Sequence, residues 1–302
     1  MLGITRREML LVGALLLIGV GLRIGKPDHL GIDHFDEGVY ASHVPPGPRG
    51  ITPYPLRHLY APSFVPWIQN YAQSVSRHPT TAPNLAGVVA GCLTLVAIWW
   101  VGRCWFGPLA GTASLALAAT SDFHATFSRS ALTDPWFLLW LILAVAFVER
   151  TLRRHSLLDL LVASFFTALA WWTKYNGWLP LAIGVAGWAA KTTLDFARPL
   201  SVPPPPDAAR PAPTNRRRAV SSPAPAPAES EPTPSSVALS SIISLAAIGL
   251  LAGTLFYPYI YLLQADDYSY SEISANHGKY VGGMLDWWPS FARQLANLRW
   301  FD

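Results

Sequence analysis

The sequence predicts an all-α, polytopic membrane protein, and three observations carry that prediction. The composition is apolar: 51% of the 302 residues are hydrophobic and 13% charged, with 13 Trp, whereas soluble domains carry about 25% charge. The mean hydropathy is +0.28. Apolar runs near the length a bilayer demands, about 17 to 25 residues, recur at Met9–Ile24, Leu85–Val101, Leu109–Phe127, Leu132–Val148, Leu157–Thr173, Trp178–Ala190 and Val237–Leu263. Basic clusters fall on alternate sides of successive runs. Arg6–Arg7, Arg103, the stretch Glu149–His155 and the stretch Asn215–Arg218 then share the cytoplasmic side, as the positive-inside bias requires.

The first span follows "TRREMLL", which faintly resembles a twin-arginine export signal. No small-residue cleavage site follows the apolar run, so it reads as an uncleaved helix with a cytoplasmic N-terminus. The loop Gly25–Asn84 is then outside. In it Asp33, Asp36, Glu37 and Tyr40 stand at i, i+3, i+4 and i+7, one face of a helix. Asp33 is placed to cap that helix. Adjacent Asp36 and Glu37 exceed what a cap needs, and a carboxylate pair at the water side of a membrane suits a general base, a metal ligand or a sugar acceptor. His34 and His43 flank the acids at a spacing that matches no standard metal set. The aromatic stretch Tyr54–Tyr71 suits either the membrane interface or a sugar or lipid groove.

Cys92 and Cys104 fall on the second span, where twelve residues of helix hold them roughly 18 Å apart, too far to pair. In the second outer turn, Thr133–Asp134–Pro135 reads as a helix start with Asp134 as the cap. Arg129 just before it is a natural ligand for a lipid-linked phosphate. In the third turn Lys174 sits among aromatics on the outer side, against the usual bias. It either snorkels to the headgroups or pairs with an anionic substrate or one of the acids. Residues 196–236, rich in Pro, Ala and Ser, read as a disordered cytoplasmic linker. The organisation expected is thus a catalytic core over 1–195, the linker, and a further span with an extracytoplasmic tail over 237–302.

In order along the chain, the motifs F-D-E-x-x-Y (Phe35–Tyr40), G-R-x-x-F-G (Gly102–Gly107), S-R-x-A-L-T-D-P (Ser128–Pro135) and T-K-x-x-G-x-L-P (Thr173–Pro180) resemble the GT-C glycosyltransferases of the protein O-mannosyltransferase and aminoarabinose-transferase type. The resemblance covers roughly residues 5–190. It implies a GT-C-like transmembrane bundle with a helical first extracytoplasmic loop, of which this chain is an N-terminal portion. It also implies transfer of a sugar, with inversion, from a polyprenyl or dolichyl monophosphate to a hydroxyl of a protein, lipid or glycan. Asp36 would be the base, with Glu37 supporting it. Tyr40, His58, Arg129, Asp134 and Lys174 form the substrate-binding set, Arg129 and Lys174 serving the carrier phosphate.

Relatives carry a His-Pro-Pro stretch in the first outer loop. Here Arg57–Pro62 reads "RHLYAP", which leaves His58 as the candidate for that place. No metal site or certain cofactor follows, and a divalent cation stays open as an addition. The expected location is a bacterial-type plasma membrane with the site on its outer face. Absence of a P-loop, a G-x-G-x-x-G or a long basic stripe argues against nucleotide and nucleic-acid partners. Two other classes fit the composition: a lipid or glycan transporter, and an inactive membrane scaffold. A transporter is disfavoured by the lack of an internal repeat and by ionisable residues placed at span ends rather than at mid-membrane depth.

Overall fold

The computed structural model describes residues 4–26, 30–32, 35–41, 60–197, 234–265 and 269–278, together with positions 289 and 292. Among them every regular element is a helix. In chain order these are α1 (Arg6–Ile24), α2 (Phe35–Ala41), α3 (Phe64–Val75), α4 (Ala82–Phe106), α5 (Pro108–Thr120), α6 (Asp122–Ser128), α7 (Asp134–Arg154), α8 (Leu157–Thr173), α9 (Leu179–Ala197), α10 (Pro234–Ala265) and α11 (Tyr270–Gly278).

Local chemistry sets the boundaries. The Thr5 hydroxyl accepts the Glu8 N–H at 3.2 Å and starts α1, a cap of a kind that contributes about 1 kcal/mol. Ser121 caps α6 and Ser156 caps α8 in the same way. Between α4 and α5 the chain reverses at Gly107, whose φ of 92° suits a residue without a Cβ, and Pro108 then opens α5.

α4, α7 and the Ala238–Ala265 portion of α10 are long and apolar enough to cross a bilayer, and α5 and α8 are shorter apolar helices. These fit an all-α membrane protein, because in lipid a helix satisfies its own backbone. The structure adds to or differs from the expected segments in three places. The run Leu109–Phe127 is not one helix: the chain leaves helical geometry at Ser121 (ψ 117°), and α6 turns off as a separate short element. Part of the aromatic stretch Tyr54–Tyr71 forms α3. α9 continues through Phe196 and Ala197 and α10 begins at Pro234, so the margins of the expected linker are helical. Its interior, 198–233, lies outside the described residues, as do Asp33, His34, His43, His58 and the final "NLRWFD". Cys92 and Cys104 are free, as expected, and both lie on α4.

Packing divides the bundle into two ends. At one, Glu8 of α1 pairs with Arg103 near the end of α4 at 2.9 Å, both side chains buried. Arg150 of α7 pairs there with Asp159 of α8 at 2.9 Å. This basic end gathers Arg6, Arg7, Arg103 and Arg150, together with Arg153 and Arg154. The opposite end carries the close of α1, the starts of α4 and α7, the close of α8, and α2, α3 and α6. Between the ends, Val12, Leu95, Leu115 and Ala119 join α1, α4 and α5. Val148, Ala163, Leu245 and Ile248 join α7, α8 and α10, so α10 packs into the same bundle.

Candidate active site

At the second end, α2 lies against the turn joining α6 to α7, and Glu37 makes the contact. Its carboxylate is 2% exposed, and Oε1 accepts the Ala131 N–H at 2.5 Å. Gln69 of α3 donates Nε2 to the Ala131 carbonyl at 2.7 Å. Both backbone groups of Ala131 are therefore satisfied by side chains, which is how a buried turn without sheet or helix partners is paid for. Asn84, in the first turn of α4, donates Nδ2 to the carbonyls of Arg129 at 2.9 Å and Gly31 at 3.1 Å.

With Glu37 turned to this loop, Asp36 lies half-buried on the neighbouring face of α2, and Tyr40, one turn later, is buried. Burial is the largest influence raising the Tyr40 phenol above its ordinary value. The carboxylates of Asp36 and Asp134 follow, the Thr133 hydroxyl opposes them, and Tyr60 adds a last increment. Tyr40 thus stands under the influence of acids from two helices, Asp36 from α2 and Asp134 from α7.

Asp134 does not cap α7. The cap position is Thr133, in helical geometry and without a side-chain cap bond. The Asp134 carboxylate instead receives Lys174 Nζ at 2.8 Å. The expectation that capping accounts for Asp134 fails for this reason: the helix start is left to Pro135, which has no N–H to satisfy, and the acid is left for the cation arriving from α8. Lys174 itself ends α8, with its N–H still bonded to the Ala170 carbonyl.

Arg129 takes a different place from the one expected of a phosphate ligand. Its Nη1 donates to the carbonyls of Arg23 at 3.0 Å and Gly25 at 2.5 Å, and Nη2 to that of Lys26 at 3.2 Å. A cation over the C-terminal carbonyls of α1 satisfies groups the helix leaves unpaired and complements its dipole.

Among the expected residues, then, Asp36, Tyr40, Asp134 and Lys174 come together, Glu37 backs them, and Arg129 is turned to α1. One further cation was missed. Arg23 is fully buried and donates to Gly19 and Ala118 carbonyls at 2.7 and 3.1 Å. It also approaches His124 Nδ1 at 2.5 Å and Ser128 Oγ at 3.3 Å. A signal for it existed: like Lys174, it is a lone cation at the span end opposite the basic clusters. Among the described residues, no group of three or more His, Cys, Asp or Glu side chains gathers to hold a metal.

Residues 61–194, which include α3 to α8 and most of α9, match the family model described as dolichyl-phosphate-mannose-protein mannosyltransferase. The match supports a GT-C-like glycosyltransferase. The match takes in Arg129, Asp134 and Lys174, whereas α2 with Asp36 and Glu37 precedes it. No curated protein and no solved structure gives a significant match. The family and the apolar helices together support a membrane glycosyltransferase that uses a dolichyl-phosphate sugar.

Proposed function

We propose that the chain transfers a sugar, with inversion, from a polyprenyl or dolichyl monophosphate to a hydroxyl acceptor at the end of the bundle that carries α2. The observation that carries this reading is the gathering of Asp36, Tyr40, Asp134 and Lys174 across α2, α7 and α8, next to the ends of apolar helices. A lipid tail can stay in the bilayer while its headgroup reaches such a cluster.

Asp36 acts as the base. The acceptor oxygen attacks the anomeric carbon as its proton passes to the Asp36 carboxylate, and the bond from that carbon to the phosphate oxygen breaks with its electron pair going to the phosphate. A hydroxyl is a poor nucleophile without such a base. The leaving phosphate gains charge as the bond breaks, so a fixed ammonium stabilises the transition state more than the ground state. Lys174 is that ammonium, and Asp134 orients it. Tyr40 contributes a neutral phenol able to donate to a sugar or phosphate oxygen. Glu37 supports the base through the loop it holds. His58, in the same outer loop, completes the substrate-binding set, and Arg129 serves it by fixing the end of α1 from which α2 follows.

The site faces the extracytoplasmic side of the membrane, with the basic end and the N-terminus in the cytoplasm, on the support of the positive-inside bias. The core spans residues 1–195, and 237–302 supplies the further span and tail. The step uses side chains alone, and a chelator titration reads any contribution from a divalent cation. The direct test is Asp36→Asn in membranes supplied with polyprenyl-phosphate mannose. Transfer, followed by mass spectrometry of the product, is abolished while membrane insertion is unchanged; full transfer by the variant would sink the assignment.

A further inference from the structure

Lys174 is the residue on which the proposed donor chemistry turns, and its neighbours along the chain are held from outside the family-matched segment. Lys174 has an extended backbone (φ −143°, ψ 149°) at the close of α8, so nothing in helical geometry fixes where its side chain leaves. The residues around it are fixed by α10. Trp171 stacks on Phe256 with ring centroids 5.0 Å apart and planes 6° apart. Trp172 Nε1 donates to the Leu255 carbonyl at 2.9 Å. The Tyr175 hydroxyl meets the Tyr259 hydroxyl at 2.7 Å.

One turn of α10, 255–259, thus grips both sides of Lys174. The sequence explains why that turn can do so. Pro258 lies inside α10 and has no N–H to give the preceding turn, a place where side chains from neighbouring helices supply donors to freed carbonyls in a membrane. The carbonyl that Pro258 leaves without a donor is that of Thr254, and Trp172 donates to its neighbour, the Leu255 carbonyl. Tyr259 is fully buried, and a buried phenol needs a polar partner. Burial is also the first cause holding the Tyr175 phenol well above its ordinary value, with Tyr259, Tyr270 and Tyr40 adding to it, so this hydroxyl stays protonated and can donate.

We propose that Tyr259 is a positioning residue: through Tyr175, and together with the Leu255 carbonyl that holds Trp172, it sets the backbone from which the Lys174 ammonium reaches Asp134. α10 is thereby part of the site, although its residues follow the 61–194 match. What Lys174 does to a substrate rests on the function proposed above, whereas its positioning by α10 is a property of the fold and is tested separately.

The experiment uses the full chain in nanodiscs. Lysines are pulsed with sulfo-NHS-acetate, and acetylation of Lys174 is quantified by mass spectrometry against exposed Lys26. Removing one hydroxyl by Tyr259→Phe raises the Lys174 rate about three- to tenfold, the equilibrium weight of one hydrogen bond. Trp172→Phe, which deletes the indole N–H, acts in the same direction, and Tyr257→Phe, at an exposed neighbouring position, leaves the rate unchanged. With polyprenyl-phosphate mannose as donor, Tyr259→Phe lowers kcat by a similar factor and leaves KM close to that of the parent chain. Equal Lys174 rates in the parent and in both Tyr259→Phe and Trp172→Phe overturn the proposal. If the parent transfers no sugar, the proposed function fails while the labelling still decides the positioning.

Discussion

Glu37 Oε1 and the amide nitrogen of Ala131 are 2.5 Å apart although 94 residues separate them in the chain. The contact binds the short helix carrying Asp36 to the turn that leads into Asp134. Replacing Glu37 by Ala leaves a buried N–H unpaired, which costs about 1 to 3 kcal/mol, whereas Glu37→Gln keeps a carbonyl in the same place. Thermal unfolding in detergent is therefore expected to fall for Glu37→Ala and to change much less for Glu37→Gln. Equal losses for the two would contradict the geometry.

Gly87 and Gly91 let α4 approach that same turn. A Cβ at Gly87 would meet the Ser130 carbonyl, and one at Gly91 would meet the Ser128 side chain, while a Cβ at Gly13 on α1 meets nothing within 4 Å. Overpacking of this kind costs about 1 to 3 kcal/mol. Gly87→Ala and Gly91→Ala should each lower the unfolding temperature and the transfer rate together. Gly13→Ala, by contrast, should leave both intact or raise stability slightly through helix propensity.

The Lys174–Asp134 pair separates stability from chemistry. Its side chains are 30% and 44% exposed, and pairs in such settings contribute at most about 1 kcal/mol. Removing a cation that meets developing charge costs about a hundredfold or more in rate. Lys174→Met should then unfold close to the parent temperature while transfer from polyprenyl-phosphate mannose drops by that order. Near-normal transfer would remove Lys174 from the proposed mechanism.

Tyr40 gives the site an alkaline limit. Its phenol is raised above the ordinary value of 10.0, so above that pH the folded state binds more protons than the unfolded state. Stability is complete below about pH 10 and is lost as pH rises beyond it. Tyr40→Phe should flatten the fall in unfolding temperature between pH 10 and 11. An unchanged slope in that variant would show that Tyr40 titrates as an ordinary exposed tyrosine.

The legible part of this protein was the part written in short-range pattern. Apolar length located most of the long helices, and the motif order pointed to the family supported by the match over 61–194. Lys174 was legible as a cation needing a reason, and the reason is Asp134. The partners of Glu37 and Arg129 were not legible: both bond to backbone atoms, and a backbone N–H or carbonyl carries no residue-specific mark in a sequence. The break of the third apolar run at Ser121 was partly legible, since the polar pair Ser121–Asp122 interrupts the run, but the short helix that follows was not. Arg23, a single arginine inside an apolar run, carries its explanation in partners far along the chain, the Ala118 and Ala119 carbonyls and His124.

The buried pair between Glu8 and Arg103 has a consequence for how the chain is built. Glu8 is synthesised long before Arg103, and a lone carboxylate at the rim of an apolar helix is held out of lipid by its desolvation cost. In the folded bundle the end of α4 supplies the charge that neutralises it. The pair therefore ties the seating of the first helix to the presence of the fourth. Substituting either partner alone should leave a chain that is inserted but unevenly seated, with α1 open to proteases at the basic end.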